Sequence, residues 1–195
     1  MFRRLLTFEQ ALQLVQERVK PKPLGIERVS LLTAGGRVLA EDVRSKIDIP
    51  PFDRSTVDGY AVRAEDTFGA DENNPVTLNI CGIVSIGELP KVKINRREAA
   101  EIVTGAPIPK GADAVVMVEQ CETKGDLVRV FSAVAKNANT MKAGADIKNE
   151  EMVLKSGTLL GSREIGVLAA LGIAEAVVYT IPCVAVFSTG PEVTE

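Results

Sequence analysis

The sequence predicts an α+β, multidomain chain in which a β-rich domain is inserted into a discontinuous α/β domain, followed by the first strand of a further α/β domain. Three observations predict it. Helical periodicity is confined to the flanks, near residues 7–19 and 162–171. Between about residues 50 and 132, β-branched runs alternate with Gly, Pro and Asn clusters. Near the end a fully apolar run, Cys183 to Phe187, enters Ser188-Thr189-Gly190. The expected domains are 1–46 with 142–177, then 47–141, then 178–195.

The first helix is predicted from Thr7, which can cap it while Gln10 reaches back, with Phe8, Ala11, Leu12, Val15 and Val19 at helical spacing and Pro21 and Pro23 as the stop. Ser30 is placed to cap a short turn that ends at Gly35-Gly36, before an extended segment leading into Val43. Strands are predicted over 76–86, 99–103 and 114–119, and Lys124-Gly125-Asp126 marks a hairpin between Val116-Met117-Val118 and Leu127–Val130. Ser162 is the expected N-cap of a second helix through Ile165, Leu168, Ala169 and Leu171, closed by Gly172. Strands are then expected over 176–180 and 183–187, the latter entering its loop as the first strand of a nucleotide-binding α/β domain does. Such a strand needs neighbours on both faces, so the chain reads as an N-terminal fragment.

Composition removes several function classes. The 195 residues include no histidine and no tryptophan, so Ser-His-Asp catalysis and imidazole metal ligation are excluded within the chain. With 23 basic and 26 acidic residues the net charge is −3, and the scattered Lys and Arg argue against sequence-independent nucleic-acid binding. No apolar run approaches the roughly 20 residues that span a bilayer, and Arg3-Arg4 lacks the apolar stretch of an export signal. Cys81, Cys121 and Cys183 share no metal-ligand spacing, which predicts reduced core thiols in a cytoplasmic protein.

Four motifs are candidates for chemistry. Pro50 to Arg63 carries Asp53, Arg54, Asp58 and Arg63 on one short stretch. Asp58 before Gly59 reads either as a turn carboxylate or as a hard oxygen ligand for Mg²⁺, with Arg54 or Arg63 meeting an anion. Thr104-Gly105-Ala106-Pro107 reads as an ordinary strand-end loop or as a concave set of N–H donors for an anion. Gly144-Ala145-Asp146-Ile147 and Ser188-Thr189-Gly190-Pro191-Glu192 are the third and fourth.

In this order the motifs are specific. Pro51-Phe52-Asp53-Arg54-Ser55 with Asp58-Gly59-Tyr60-Ala61, then Thr104-Gly105-Ala106-Pro107 with Gly111-Ala112-Asp113, then Gly144 with Asp146-Ile147, then Ile165-Gly166-Val167-Leu168-Ala169 and Ser188-Thr189-Gly190, resemble the molybdopterin molybdenumtransferase (MoeA) family, which includes the E domain of gephyrin. The resemblance implies insertion of molybdate into adenylylated molybdopterin with release of AMP, assisted by a divalent cation, Mg²⁺. It implies an elongated homodimer of four-subdomain chains, with the discontinuous domain serving dimerisation and the last domain binding molybdopterin, supplied by a molybdopterin adenylyltransferase.

The resemblance also assigns residues. Asp58, Thr104, Asp146 and Glu192 fall in the family's active-site region, Thr104, Gly105, Ser188, Thr189 and Gly190 in its substrate contacts, and Asp58 and Glu192 are its candidate metal ligands. Pro191 departs from the pattern, standing where the family commonly carries Asp and removing a backbone N–H. Positioned carboxylates with a divalent cation suffice for phosphoanhydride cleavage, so the missing histidine is no obstacle. The alternatives are a gephyrin-like scaffold without catalysis and a tungstate-inserting homologue. The truncated chain alone is expected to be inactive.

Overall fold

The structure, a computed structural model, describes residues 6–20 and 22–187. Its elements begin with helix α1 (Phe8–Val19) and strands β1 (Ile26–Ser30), β2 (Val43–Arg44), β3 (Arg54–Ser55) and β4 (Gly59–Val62). Next come β5 (Val76–Val84), β6 (Glu98–Ile102), β7 (Ala114–Met117), β8 (Cys121–Lys124), β9 (Leu127–Val130) and β10 (Thr140–Met141). Strand β11 (Met152–Leu154), helix α2 (Ser162–Ala170) and β12 (Glu175–Tyr179) follow. This sheet-rich arrangement with few helices is α+β. The chain divides into two compact units, Met1–Val43 with Leu154–Glu195, and Arg44–Val153.

In the first unit, α1 starts with the expected capping box: Gln10 N–H donates to Thr7 Oγ1 at 3.3 Å and Thr7 N–H to Gln10 Oε1 at 3.1 Å. Its apolar stripe, Phe8, Leu12, Val15 and Val19, is exposed. Strand β1 pairs antiparallel with β12, from Ile26 opposite Tyr179 to Ser30 opposite Glu175. Ser30 caps the short turn Leu31–Thr33 by accepting from Leu32 N–H. The core beneath is small: Ala34, Leu39, Leu160, Leu168, Ala176 and Val178.

Three expectations change in this unit. Gly161, not Ser162, is the N-cap of α2, because Glu164 in the first turn reaches back to accept the Gly161 N–H at 3.0 Å. Val178, expected to open a new domain, is fully buried in β12 opposite Glu27 of β1, and so belongs to this unit. The run Cys183–Phe187 forms no strand, and Val184, Val186 and Phe187 are 74, 87 and 84% exposed. Among the described residues no strand pairs with it, and an apolar run without strand partners has nothing to hold it extended.

The second unit is built on a six-stranded sheet ordered β7-β4-β6-β5-β9-β8, antiparallel except for β5 beside β6. All four residues of β4 are buried. Tyr60 and Val62 pack on one face with Leu78, Ala99 and Val116, while Ala61 packs on the other with Val84, Ala100 and Ile102. Period-2 alternation thus feeds two cores at once. Gly59 is required by β7: a Cβ there would lie 1.9 Å from the Val116 carbonyl oxygen.

The hairpin at Gly125-Asp126 joins β8 to β9, so its first arm is Cys121–Lys124 and not residues 116–118, because a 3-10 turn over Val118–Gln120 ends β7 and separates it from β8, which lies at the opposite edge of the sheet. The unit's borders fall at 43/44 and 153/154, where 46/47 and 141/142 were expected. Backbone pairing explains this. Thr140 pairs with Ser55, Ile49 bridges Ile147, and at the two ends Ser45 N–H donates to Glu151 O at 2.9 Å while Glu150 N–H donates to Ser45 O at 2.8 Å.

The cysteines are free, as expected, but only Cys121 packs against a core. Cys81 is exposed because it is the extra residue of a bulge, where Ile80 pairs with Ala99 and Gly82 with Ala100. Cys183 lies in the uncovered run. Among the described residues no helix is long and apolar enough to cross a membrane.

Candidate functional site

Residues 49–58 form a spine in the second unit to which two of the motif loops are bound. On one side the Thr104 loop docks: Gly105 N–H donates to Ser55 O at 2.8 Å, Ser55 N–H to Ala106 O at 2.9 Å and Ile108 N–H to Asp53 O at 2.8 Å. On the other side the Asp146 loop docks: Gly144 N–H donates to Pro50 O at 2.9 Å and Asp146 N–H to Ile49 O at 2.9 Å. Gly144 itself is buried at φ 70°, where a Cβ would meet Asp48 Oδ1 at 2.9 Å.

At the end of this spine Asp58 Oδ1 accepts from Thr104 N–H at 2.6 Å and from Thr104 Oγ1–H at 2.8 Å. Its carbonyl accepts from Val118 N–H at 3.0 Å. The backbone N–H of Thr104, and then its hydroxyl, hold the exposed Asp58 carboxyl below the usual carboxylate range. Oδ2 accepts no hydrogen bond among the described residues. Asp58 is therefore a fixed, ionised carboxylate with one oxygen available to a ligand.

The same bonds alter the reading of Thr104 and Gly105. The Thr104 N–H and hydroxyl are taken by Asp58, the Gly105 N–H by Ser55, and the Ala106 N–H by Val103 O at 3.0 Å. Those donors hold the loop together. Arg63 is likewise occupied, pairing with Glu65 and Asp66, and half-buried Arg54 donates to Met141 Sδ at 3.3 Å.

Sequence reasoning missed the latch between the loops. Asp53 Oδ2 lies 2.7 Å from Lys142 Nζ, and its Oδ1 accepts from Ala143 N–H at 2.9 Å. The Lys142 hydrogen bond, then the Ala143 N–H, lowers the Asp53 pKa. The signal available was Asp53 within Pro-Phe-Asp-Arg-Ser, but nothing in the spacing pointed to a residue 89 positions away. Asp146 is exposed and is joined to the same spine as Asp58. Among the described residues no three Asp, Glu or Cys side chains gather as a metal cluster. Ser188, Thr189, Gly190 and Glu192 lie outside the described residues.

Residues 6–172 match the family model described as the MoeA N-terminal region, domains I and II. The molybdopterin molybdenumtransferase of Haemophilus influenzae is 38% identical over 98% of this chain and 46% of its own length. That of Synechococcus elongatus is 34% identical over 97% of this chain and 47% of its own. The crystal structure of the molybdopterin biosynthesis MoeA protein from Pyrococcus horikoshii superposes with a TM-score of 0.83 at 42% identity, covering 90% of this chain and 46% of that one. The chain spans about half the length of the relatives it matches.

Proposed function

The chain belongs to the MoeA N-terminal family, and on that premise we propose that it serves molybdenum cofactor biosynthesis as the N-terminal part of a molybdopterin molybdenumtransferase. The reaction is insertion of molybdate into adenylylated molybdopterin with release of AMP. The observation that supports this reading most is the Asp58–Thr104 pair, a carboxylate kept ionised with one oxygen unengaged among the described residues, on a spine shared with Asp146.

The roles follow from chemistry. Thr104 orients Asp58 and keeps it charged, so that the carboxylate presents a hard oxygen without needing to lose a proton first. Mg²⁺ commonly takes one or two protein carboxylates and completes its shell with water and substrate phosphate oxygens, which suits a site offering Asp58 without a three-carboxylate cage. When bound there, the cation would neutralise charge building on the phosphoanhydride as AMP leaves. Asp146 provides a second carboxylate, and Glu192 a third ligand candidate. Catalysis by a homodimer in the cytoplasm, with substrate passed on by a molybdopterin adenylyltransferase, completes the proposal. The half-length chain by itself is expected to insert no metal.

The test is Asp58→Asn in a full-length protein carrying this chain. An amide still accepts the Thr104 hydrogen bonds but has lost the charge, so cofactor formation and AMP release from adenylylated molybdopterin should disappear while thermal stability is nearly unchanged. Full activity in the variant would return Asp58 to the role of a turn carboxylate. Running the assay with tungstate in place of molybdate decides between the two oxyanions.

A further inference from the structure

We propose that Lys93 and Lys110 form an anion subsite that takes the phosphoanhydride of a small substrate. The two residues are partners in a parallel β-bridge, held by an Ile94 N–H bond to Lys110 O at 2.9 Å. Bridge partners stand side by side with their Cβ atoms roughly 5 Å apart. Ile94 is 1% exposed and anchors one strand in the core, while Gly111, at φ 96°, brings the other so close that a Cβ would lie 2.1 Å from Ile94 O. The backbone carrying both ammonium groups is therefore fixed.

Both lysines are exposed, and neither makes an ion pair among the described residues, whereas nearby Lys91 pairs with Glu88 at 3.7 Å. Like charges placed side by side cost stability unless an anion joins them. A lysine is a point-charge binder of phosphate on a flexible stem, and two of them rising from adjacent backbone positions can each reach one of the neighbouring oxyanions of a diphosphate. A nucleic acid would need a longer basic stripe, which a chain with a net charge of −3 and scattered cations does not offer.

The pair also stands on the candidate site's own loops. Lys110 follows the Thr104 motif, and the segment bearing Lys93 touches that motif at its other end, where Ile86 Cδ1 lies 3.9 Å from the position of a Cβ on Gly105. With the N–H groups of Thr104, Gly105 and Ala106 already bonded internally, the lysines are the charged donors this loop pair retains. The choice of a phosphoanhydride as the anion rests on the transferase reading; the geometry of the pair does not.

The experiment is a calorimetric titration of the 195-residue chain with pyrophosphate at near-physiological salt. Saturable one-site binding is expected. Lys93→Gln and Lys110→Gln should each weaken it about fivefold, the upper range for an exposed charge pair, and the double variant should abolish it. Lys124→Gln, on strand β8, should leave it unchanged. Absence of saturable binding, retention of binding by the double variant, or an equal loss in Lys124→Gln would each overturn the subsite. Pyrophosphate binding is read without turnover, so a full-length protein that binds it through these lysines yet inserts no metal would count against the transferase reading alone.

Discussion

The two compact units solve the burial problem differently. In the second unit, β4 buries every residue because sheet neighbours and two apolar clusters close on both faces. In the first unit, one small cluster is covered, while the α1 stripe and the Val184–Phe187 run keep large apolar side chains exposed. Alternation written into a strand is fulfilled by whatever stands on each side of it. The contrast teaches that an apolar pattern specifies a need for cover, and that the cover itself has to be found in the structure.

The most severe way to break the contrast is at the crowded end of β4. Gly59→Ala forces a methyl group onto the Val116 carbonyl and should cost about 3 kcal/mol, read as a lowered midpoint in urea unfolding. Leu78→Ala, in the same core at 1% exposure, should also cost about 3 kcal/mol. Equal stability to the parent in either variant would show that the sheet is looser than its packing indicates.

A smaller effect is expected at the latch. Asp53→Asn loses the Lys142 ion pair, and since that pair is partly exposed the cost should not exceed about 1 kcal/mol. Because the folded-state pKa of Asp53 lies below its unfolded value of about 3.9, the contribution is complete above that value and disappears as pH falls through the lowered one. The stability gap between parent and variant should accordingly close in acid, and a gap that persisted there would assign it to packing.

The smallest change is expected on α1. Leu12→Ala, at 48% exposure, should shift stability by less than about 0.5 kcal/mol, and a loss comparable to that of Leu78→Ala would show that something covers the helix in solution. Thiol labelling sharpens the same comparison without altering stability. Burial, with Glu119 second, pushes the Cys121 thiol up to about 12, so maleimide should modify it more slowly than exposed Cys81, and faster labelling of Cys121 would mean that the core face of β8 opens.

What was legible in the sequence is what short-range chemistry determines. The Thr7 capping box, the Ser30 turn and the Gly125 hairpin appear where their residues call for them, because each involves neighbours a few positions apart. Ordered motifs likewise identified the family. What the sequence hid depends on distant partners: Cys81 is exposed through a bulge set by β6, the Thr104 N–H is engaged by Asp58 and the Gly105 N–H by Ser55, and Asp53 finds Lys142. Ser162 was misplaced for a subtler reason, since Glu164 can serve whichever residue precedes the first turn.

The backbone bonds joining Ser45 to Glu150 and Glu151 give the second unit the form of a removable cassette. Its entry and exit are clasped together, so the rest of the polypeptide experiences more than a hundred residues as little more than a tight loop, and the logarithmic penalty for loop length barely registers. A gene segment bounded there is expected to fold when expressed alone, and to tolerate transplantation into another host protein or new termini within the sheet's own turns.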